Sequence, residues 1–306
     1  MADPSGGERE IVAWLKNKEN TPPDGDTWIG DDTAVISTPD CDLLFATDAV
    51  VEGVHFLAGP GHLADAGWKA IARNVSDVAA MGGTPTHAVV AISGASSAAL
   101  VAIDEGLQLA VASYGFPIVG GDLSGGSSIV ITVSILGRAE RGRSVLRSGA
   151  HPGDQLFVTG PLGAASAGLR ALLGDPSSNG PHVEAHRRPH ARLAEGQTAA
   201  SAGATAMIDL SDGLGIDLHR LADASNVGFA IRAVPIAPGA TLEDALAGGE
   251  DYELLFSAAP DAAIDRAFDL AGLAPPRQIG VVLPDEGVRL LDRAPLPAKG
   301  WEHDLG

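Results

Sequence analysis

The chain has 306 residues, 20 basic against 39 acidic side chains and a formal net charge of −19. That balance argues against a surface built to grip nucleic-acid phosphates or anionic lipid, both of which need Lys and Arg. A single cysteine, Cys41, excludes an internal disulfide and a multi-cysteine zinc site.

The start, MADPSGGERE, has no basic stretch followed by an apolar one, so no secretory signal is read and a cytoplasmic location is expected. No run of ~18 uninterrupted apolar residues reads as a membrane span. EREIVAWLKN predicts a short amphipathic helix, and TAVIS and DLLFAT predict strands joined by a Pro-Asp turn. LADAGWKAIARNVSDVAAMGG predicts a helix, with Ile71, Val75, Val78 and Ala79 at three- and four-residue spacing and Gly82-Gly83 as its stop. THAVVAIS follows as a strand, AALVAIDEGLQLAVASYG as a helix and SIVITVSILG as a long β-branched strand. RGRSVLRSGAHPGD, residues 141–154, is polar, glycine-rich and basic, and is expected to join two domains, 1–140 and 141–306. The second half repeats the alternation with QLFVTG, a helix from Gly163, TAMIDL, a helix from Leu214, GFAIRA, YELLFSA and RQIGVV. Between them GDPSSNGPH, residues 174–182, reads as a surface loop.

Acids interrupt apolar runs at six places: IGDDTAVI (Asp31, Asp32), FATDAVVEGVHF (Asp48, Glu52, His55), NVSDVAAMGG (Asp77), IVGGDLSGG (Asp122), MIDLSDGL (Asp209, Asp212) and LAGGEDYELLF (Glu250, Asp251). A carboxylate in such a place is costly unless it is paired or binds a cation. Basic side chains are too few to pair them all, and oxygen ligands without cysteine suit a hard divalent ion such as Mg²⁺. Ordinary turn chemistry is the competing account: Gly-Asp and Asp-Gly are common turn dipeptides, and Asp212 can cap the helix after it. Asp77 fits that account least, since it falls inside a predicted helix.

Two glycine-rich segments, GGDLSGG and VTGPLGAASAGL, can present amides to a phosphate or simply turn the chain. G-x-x-x-x-G-K-[ST], the protein-kinase HRD…DFG set and G-x-S-x-G are all absent, which excludes a P-loop NTPase, a protein kinase and the usual α/β-hydrolase elbow. His182, His186 and His190 in PHVEAHRRPH have helical spacing, but beside Arg187, Arg188 and Pro189 they read as a solvated helix start, not a metal site.

Eight segments in order, IGDDTAVI, TDAVVEGVHF, GWKAIARNVSDVAAMGGTPTHAVVAI, IVGGDLSGG, GRSVLRSGAHPGDQLFVTGPLGAASAGL, MIDLSDGL, GGEDYELLF and KGWEH, span residues 29–303. Together they resemble the thiamine-monophosphate kinase family of the aminoimidazole ribonucleotide synthetase-like ATP-binding superfamily. The resemblance implies an α+β fold of two α/β-type domains, with mixed sheets and packed helices. It implies an amino-terminal domain, 1–140, that binds metal and ATP and pairs in a homodimer, and a carboxy-terminal domain, 141–306, that completes the nucleotide and substrate site. It also implies transfer of the γ-phosphoryl of ATP, the co-substrate, to thiamine monophosphate with several Mg²⁺ ions and no general base.

Position by position, Asp32, Thr47, Asp48, Asp77, Asp122, Asp209 and Asp212 match the family's magnesium ligands. Gly121, Asp122, Arg147 and Ser211 match nucleotide contacts, and His55, Glu250 and Trp301 match contacts to thiamine phosphate. Ala46 departs from the Ser or Thr often found there, and Val54 from the Asn of some members. Cys41 in a turn-strand context and the WEHDLG end do not suit selenophosphate synthetase or the hydrogenase-maturation carbamoyl dehydratase. The alternatives that stay open are another ATP-dependent enzyme of the superfamily, a non-catalytic nucleotide or thiamine-phosphate regulator, and a Mg²⁺-dependent phosphatase.

Overall fold

The computed structural model describes residues 8–16, 18, 21–57 and 62–302. The first half runs α1 (Glu8–Lys16), β1 (Ala34–Ser37), β2 (Cys41–Val51), α2 (Leu63–Ala80), β3 (Thr84–Ser93), α3 (Ser97–Tyr114), β4 (Ile118–Ser124) and β5 (Val130–Glu140). Irregular residues 141–154 lead to β6 (Gln155–Val158), α4 (Ala164–Gly174), α5 (Pro181–Arg187), α6 (Leu193–Ser201), β7 (Ala204–Asp209) and α7 (Leu214–Ser225). The chain continues with β8 (Gly228–Ile231), α8 (Leu242–Ala247), β9 (Leu254–Ala258), α9 (Ile264–Leu270), β10 (Arg277–Leu283), β11 (Arg289–Leu291) and β12 (Ala294–Pro295).

The strands form two mixed sheets, a five-stranded one in the order β1-β2-β5-β3-β4 and a seven-stranded one in the order β12-β11-β8-β10-β6-β9-β7. Among the strands of the described residues only β3–β4 and β11–β8 pair in parallel. In the first sheet alternate residues of β2 and β5, among them Leu44, Ile131, Val133 and Ile135, meet Ile71, Val75 and Val78 of α2 and Ile103 of α3. The opposite face is open: Phe45 is 48% and Val89 44% exposed. The second sheet buries both faces, one against Leu214, Leu218 and Leu221 of α7 and the other against Ala199 of α6 and Phe268 of α9. Ala79 and Ala80, at the end of α2, belong to that last cluster, so α2 is shared between the two halves.

Three local readings change. GGDLSGG does not turn; most of it is edge strand β4, parallel to β3. Its glycine serves close approach, because a Cβ on Gly121 would lie 1.9 Å from the Val90 carbonyl oxygen. DLLFAT is longer than its composition suggests, and β2 carries Asp48 inside the strand rather than after it. The PHVEAHRRPH helix is not solvated: α5 lies on α4, where a Cβ on Gly168 would meet the His182 carbonyl at 2.0 Å, and His186 is buried. His190 is exposed but stacks on Tyr114 with centroids 5.8 Å apart.

Candidate active site

One side of α2 carries Lys69, Arg73 and Asp77, which recur every fourth residue and so share a face. Facing it are the end of β7 with Asp209, the turn before α7 with Ser211 and Asp212, and the segment before β9 with Glu250. Between them lies a cavity of roughly 770 Å³, also bordered by Asp32, Asp48, His55, Arg147, Arg220 and Trp301. That volume is ample for a nucleotide-sized ligand.

At its floor, single carboxylate oxygens of Asp32, Asp77 and Asp209 all lie within 4.8 Å of one another. Burial, then the charges of Asp48, Asp209 and Asp32, pushes the Asp77 carboxyl well above its usual range. Asp209 is pushed up by burial and then by Asp32, although Ser76 Oγ donates to its Oδ2 at 2.6 Å. Among the described residues no cation sits within ion-pair distance of Asp77 or Asp209. The neighbouring acids do have arginines. Arg147 forks onto Asp32, Nη2 to Oδ1 at 2.8 Å and Nε to Oδ2 at 3.2 Å. Arg73 Nε donates to Asp48 at 3.2 Å, and Arg220 Nη1 to Asp212 at 2.5 Å.

The adjacent acids Asp31 and Asp32 have different tasks. Asp31 accepts the backbone N–H of Arg147 at 3.0 Å and that of Asp32 at 3.0 Å, and burial followed by Asp32 raises its carboxyl to about 7. Asp31 thus anchors the inter-domain segment, while Asp32 faces the cavity. Asp212 does not cap α7; Asp217 reaches back instead, accepting the N–H of Asp212 and of Gly213 at 3.0 Å each.

The strand–turn–helix VTGPLGAASAGL folds as expected, but its amides are already taken. Asp251 accepts Gly163 N at 2.5 Å and Ala165 N at 3.2 Å, so the protein's own carboxylate fills the place of an anion at the start of α4. Asp251→Ala is expected to cost about 1–2 kcal/mol by leaving those amides unpaired, read as a lower melting temperature. Unchanged stability would show that solvent satisfies them.

Residues 30–139 match the AIR synthase related protein, N-terminal domain, and residues 151–293 the AIR synthase related protein, C-terminal domain. The thiamine-monophosphate kinase of Methanospirillum hungatei is 37% identical over 91% of this chain and 94% of its own length. That of Aquifex aeolicus is 36% identical over 90% of this chain and 92% of its own. The chain belongs to the thiamine-monophosphate kinase family. A solved structure described as AaThiL complexed with AMPPCP and TMP superimposes with a TM-score of 0.87 and 33% identity, covering 97% of each chain.

Of the positions that the thiamine-monophosphate kinase resemblance singles out, Asp32, Thr47, Asp48, Asp77, Asp209, Asp212, Arg147, Ser211, His55, Glu250 and Trp301 all border this one cavity. Thr47 does so at its margin; its hydroxyl donates to the Val133 carbonyl at 3.0 Å on the open side of the sheet, opposite to Asp48. Gly121 and Asp122 lie apart, exposed on β4. Trp301 is 49% exposed at the rim and its backbone N–H donates to the Asp212 carbonyl at 3.0 Å. His303 of KGWEH lies outside the described residues. Sequence reasoning missed Lys69, Arg73, His186 and Arg220. The helical spacing of Lys69, Arg73 and Asp77 was a usable signal for the first two. Arg220 follows Asp217 by three residues on α7, a spacing that could also have flagged it, whereas nothing local announced His186, whose partner Glu250 comes from another element.

Proposed function

We propose that this chain transfers the γ-phosphoryl group of ATP to thiamine monophosphate, giving thiamine diphosphate and ADP, as a Mg²⁺-dependent cytoplasmic homodimer. The observation that carries this is the cluster of Asp32, Asp77 and Asp209 at the floor of a nucleotide-sized cavity, in a chain of this family. The donor set fits the metal: it is all oxygen, two of its acids have no cation partner among the described residues, and like charges this close are uncomfortable without one. Asp32, Asp77 and Asp209 would hold metal, with Asp48 and Asp212 flanking. Bound Mg²⁺ supplies charge neutralisation and alignment for in-line phosphoryl transfer.

The chain's own groups do the rest. The acceptor is a phosphate monoester with a second pKa near ~6, already dianionic at neutral pH, so no general base is needed. Arg73, Arg147 and Arg220 bring fixed, forked cations to a cavity in which two polyanions must meet. Val51 N–H donates to His55 Nδ1 at 3.1 Å, which places the proton of the neutral ring on Nε2. Glu250 and Trp301 border the same cavity and supply an acceptor and an aromatic face for the thiamine rings.

In this reading residues 1–140 bind metal and ATP and pair with a second copy, while 141–306 complete the nucleotide and substrate site. The half-exposed Phe45 and Val89 on the open face of the first sheet support that pairing. Gly121 and Asp122, on the edge strand of the same sheet, would act within the pair rather than in their own chain's cavity. Light scattering checks the assembly: twice the chain mass is expected, and a monomer at working concentration would remove it.

The deciding experiment is ATP-dependent conversion of thiamine monophosphate to thiamine diphosphate with and without Mg²⁺, read by chromatography, with free thiamine as control. Diphosphate formed only with metal and only from the monophosphate is the expected result. Folded protein that binds ATP and Mg²⁺ yet gives no product would overturn the substrate assignment. Phosphate release without ATP would mark a phosphatase.

A further inference from the structure

Lys69 is 2% exposed in the middle of α2, an expensive place for an ammonium group. Its three N–H donors meet three acceptors: Glu250 Oε1 at 3.0 Å, Glu250 Oε2 at 2.9 Å and the His55 carbonyl at 3.1 Å. No donor is left for a ligand, so whatever Lys69 does in the cleft it does through Glu250 and His55. His186, buried on α5, brings Nδ1 to 3.2 Å from Glu250 Oε2 without the alignment of a hydrogen bond.

Glu250 itself is bent toward this pair at a conformational cost. Its φ is 60° and that of Tyr252 is 50°, both in the left-handed region that side-chain-bearing residues avoid. The bend is held by Glu250 N–H to the Ser211 carbonyl at 2.8 Å and Tyr252 N–H to the Leu210 carbonyl at 3.0 Å. It sends Glu250 toward α2 and Asp251 the other way, to the start of α4. Backbone strain of this kind persists where the surroundings over-determine it, as at a ligand clamp.

We propose that Lys69 and His186 are positioning residues that fix the Glu250 carboxylate as an acceptor-only partner for an N–H donor on the heteroaromatic head of the acceptor substrate. The proposal rests on the substrate reading above and deepens it. An ionised carboxylate has about four lone-pair sites. Lys69 engages one on each oxygen and His186 faces a third, on Oε2, which leaves one on Oε1. Glu250 is 21% exposed and borders the cavity, so that last site is reachable. Burial alone would drive the Glu250 carboxyl up; Lys69 and then His186 outweigh it and hold the group well below its usual range. Held ionised by these partners, Glu250 offers the cavity acceptors only, which suits a head group that brings an N–H donor. Because the same ammonium also grips the His55 carbonyl, one buried cation locates two of the three side chains expected to touch thiamine phosphate.

The test is steady-state kinetics of Lys69→Met, Lys69→Arg and His186→Gln, varying each substrate in turn. Equilibrium binding of thiamine monophosphate in the presence of AMPPCP is measured on the same proteins. Lys69→Met is expected to raise the KM for thiamine monophosphate by ~10–100-fold, with KM for ATP and kcat changed by less than ~3-fold. Lys69→Arg should recover most of the loss, and His186→Gln should show a smaller rise in the same KM. If Lys69→Met does not fold, His186→Gln decides on the same split, its KM for thiamine monophosphate rising while that for ATP does not. A fall in melting temperature with every KM unchanged, or a KM for ATP that rises in parallel, would make the cluster merely structural and overturn the proposal. Wild-type protein that neither binds nor converts thiamine monophosphate would remove the substrate reading, and this proposal with it.

Discussion

Asp77→Asn is expected to make the metal-free protein more heat-stable by a few degrees while slowing phosphoryl transfer by ~10³-fold or more. Both effects follow from the same crowding. Asp77 shares a space less than 4.8 Å across with Asp32 and Asp209, and no cation pairs with it among the described residues. Its folded-state pKa is raised above the ordinary 3.8, first by burial and then by its acidic neighbours. The folded state therefore holds more protons than the unfolded one, and stability falls as pH climbs above about 4. Asp31 and Asp217, each raised to about 7, act in the same direction between pH 4 and 7. Calorimetry in chelator should show a melting temperature that declines across this range, less steeply for Asp77→Asn. Added Mg²⁺ should raise the wild-type melting temperature and leave that of the variant nearly unmoved. If the amide destabilises the metal-free protein, or Mg²⁺ stabilises both proteins equally, Asp77 is not at the centre of the metal site.

Arg147→Met should cost about 3–5 kcal/mol in chelator, since it strands a buried carboxylate. The Asp32 side chain is 0% exposed and the Arg147 fork is its counter-ion. The backbone of Arg147 would stay in place, because its N–H binds Asp31 and its carbonyl accepts Ser225 Oγ at 2.9 Å. Most of the loss should return when Mg²⁺ is supplied, as a second cation takes over Asp32, while KM for ATP stays high. A variant as stable as wild type without metal would show that solvent reaches Asp32 after all.

Much of the site was legible because acids in apolar runs are conspicuous. Asp32, Asp48, Asp77, Asp209 and Asp212 stand out in that way, and the structure gathers all five around one cavity. The glycine segments misled, because glycine serves close packing as readily as turns. Gly121 passes close to the Val90 carbonyl in a strand, and the amides at Gly163 and Ala165 are spoken for by Asp251, a residue far along the chain. His186 looked solvated because its neighbours are arginines; its burial depends on α5 settling onto Gly168 of α4, which no local pattern encodes. The Lys69–Glu250 pair was hidden for a related reason: Glu250 stood out in its glycine-acid run, but no local pattern named Lys69, on α2, as its partner.

One consequence of the shared helix concerns length. Lys69, which marks the Glu250 end of the cavity, and Asp77, in the aspartate cluster, are eight residues apart on α2, about 12 Å at 1.5 Å per residue. That interval is set by helical pitch, and the helix is wedged into the cores of both halves. α2 is in this sense a gauge: a phosphate ester must span from one end to the other to be held at both. A compound with the right head and the right phosphate but a shorter or longer spacer is therefore expected to bind more weakly, read as a raised KM.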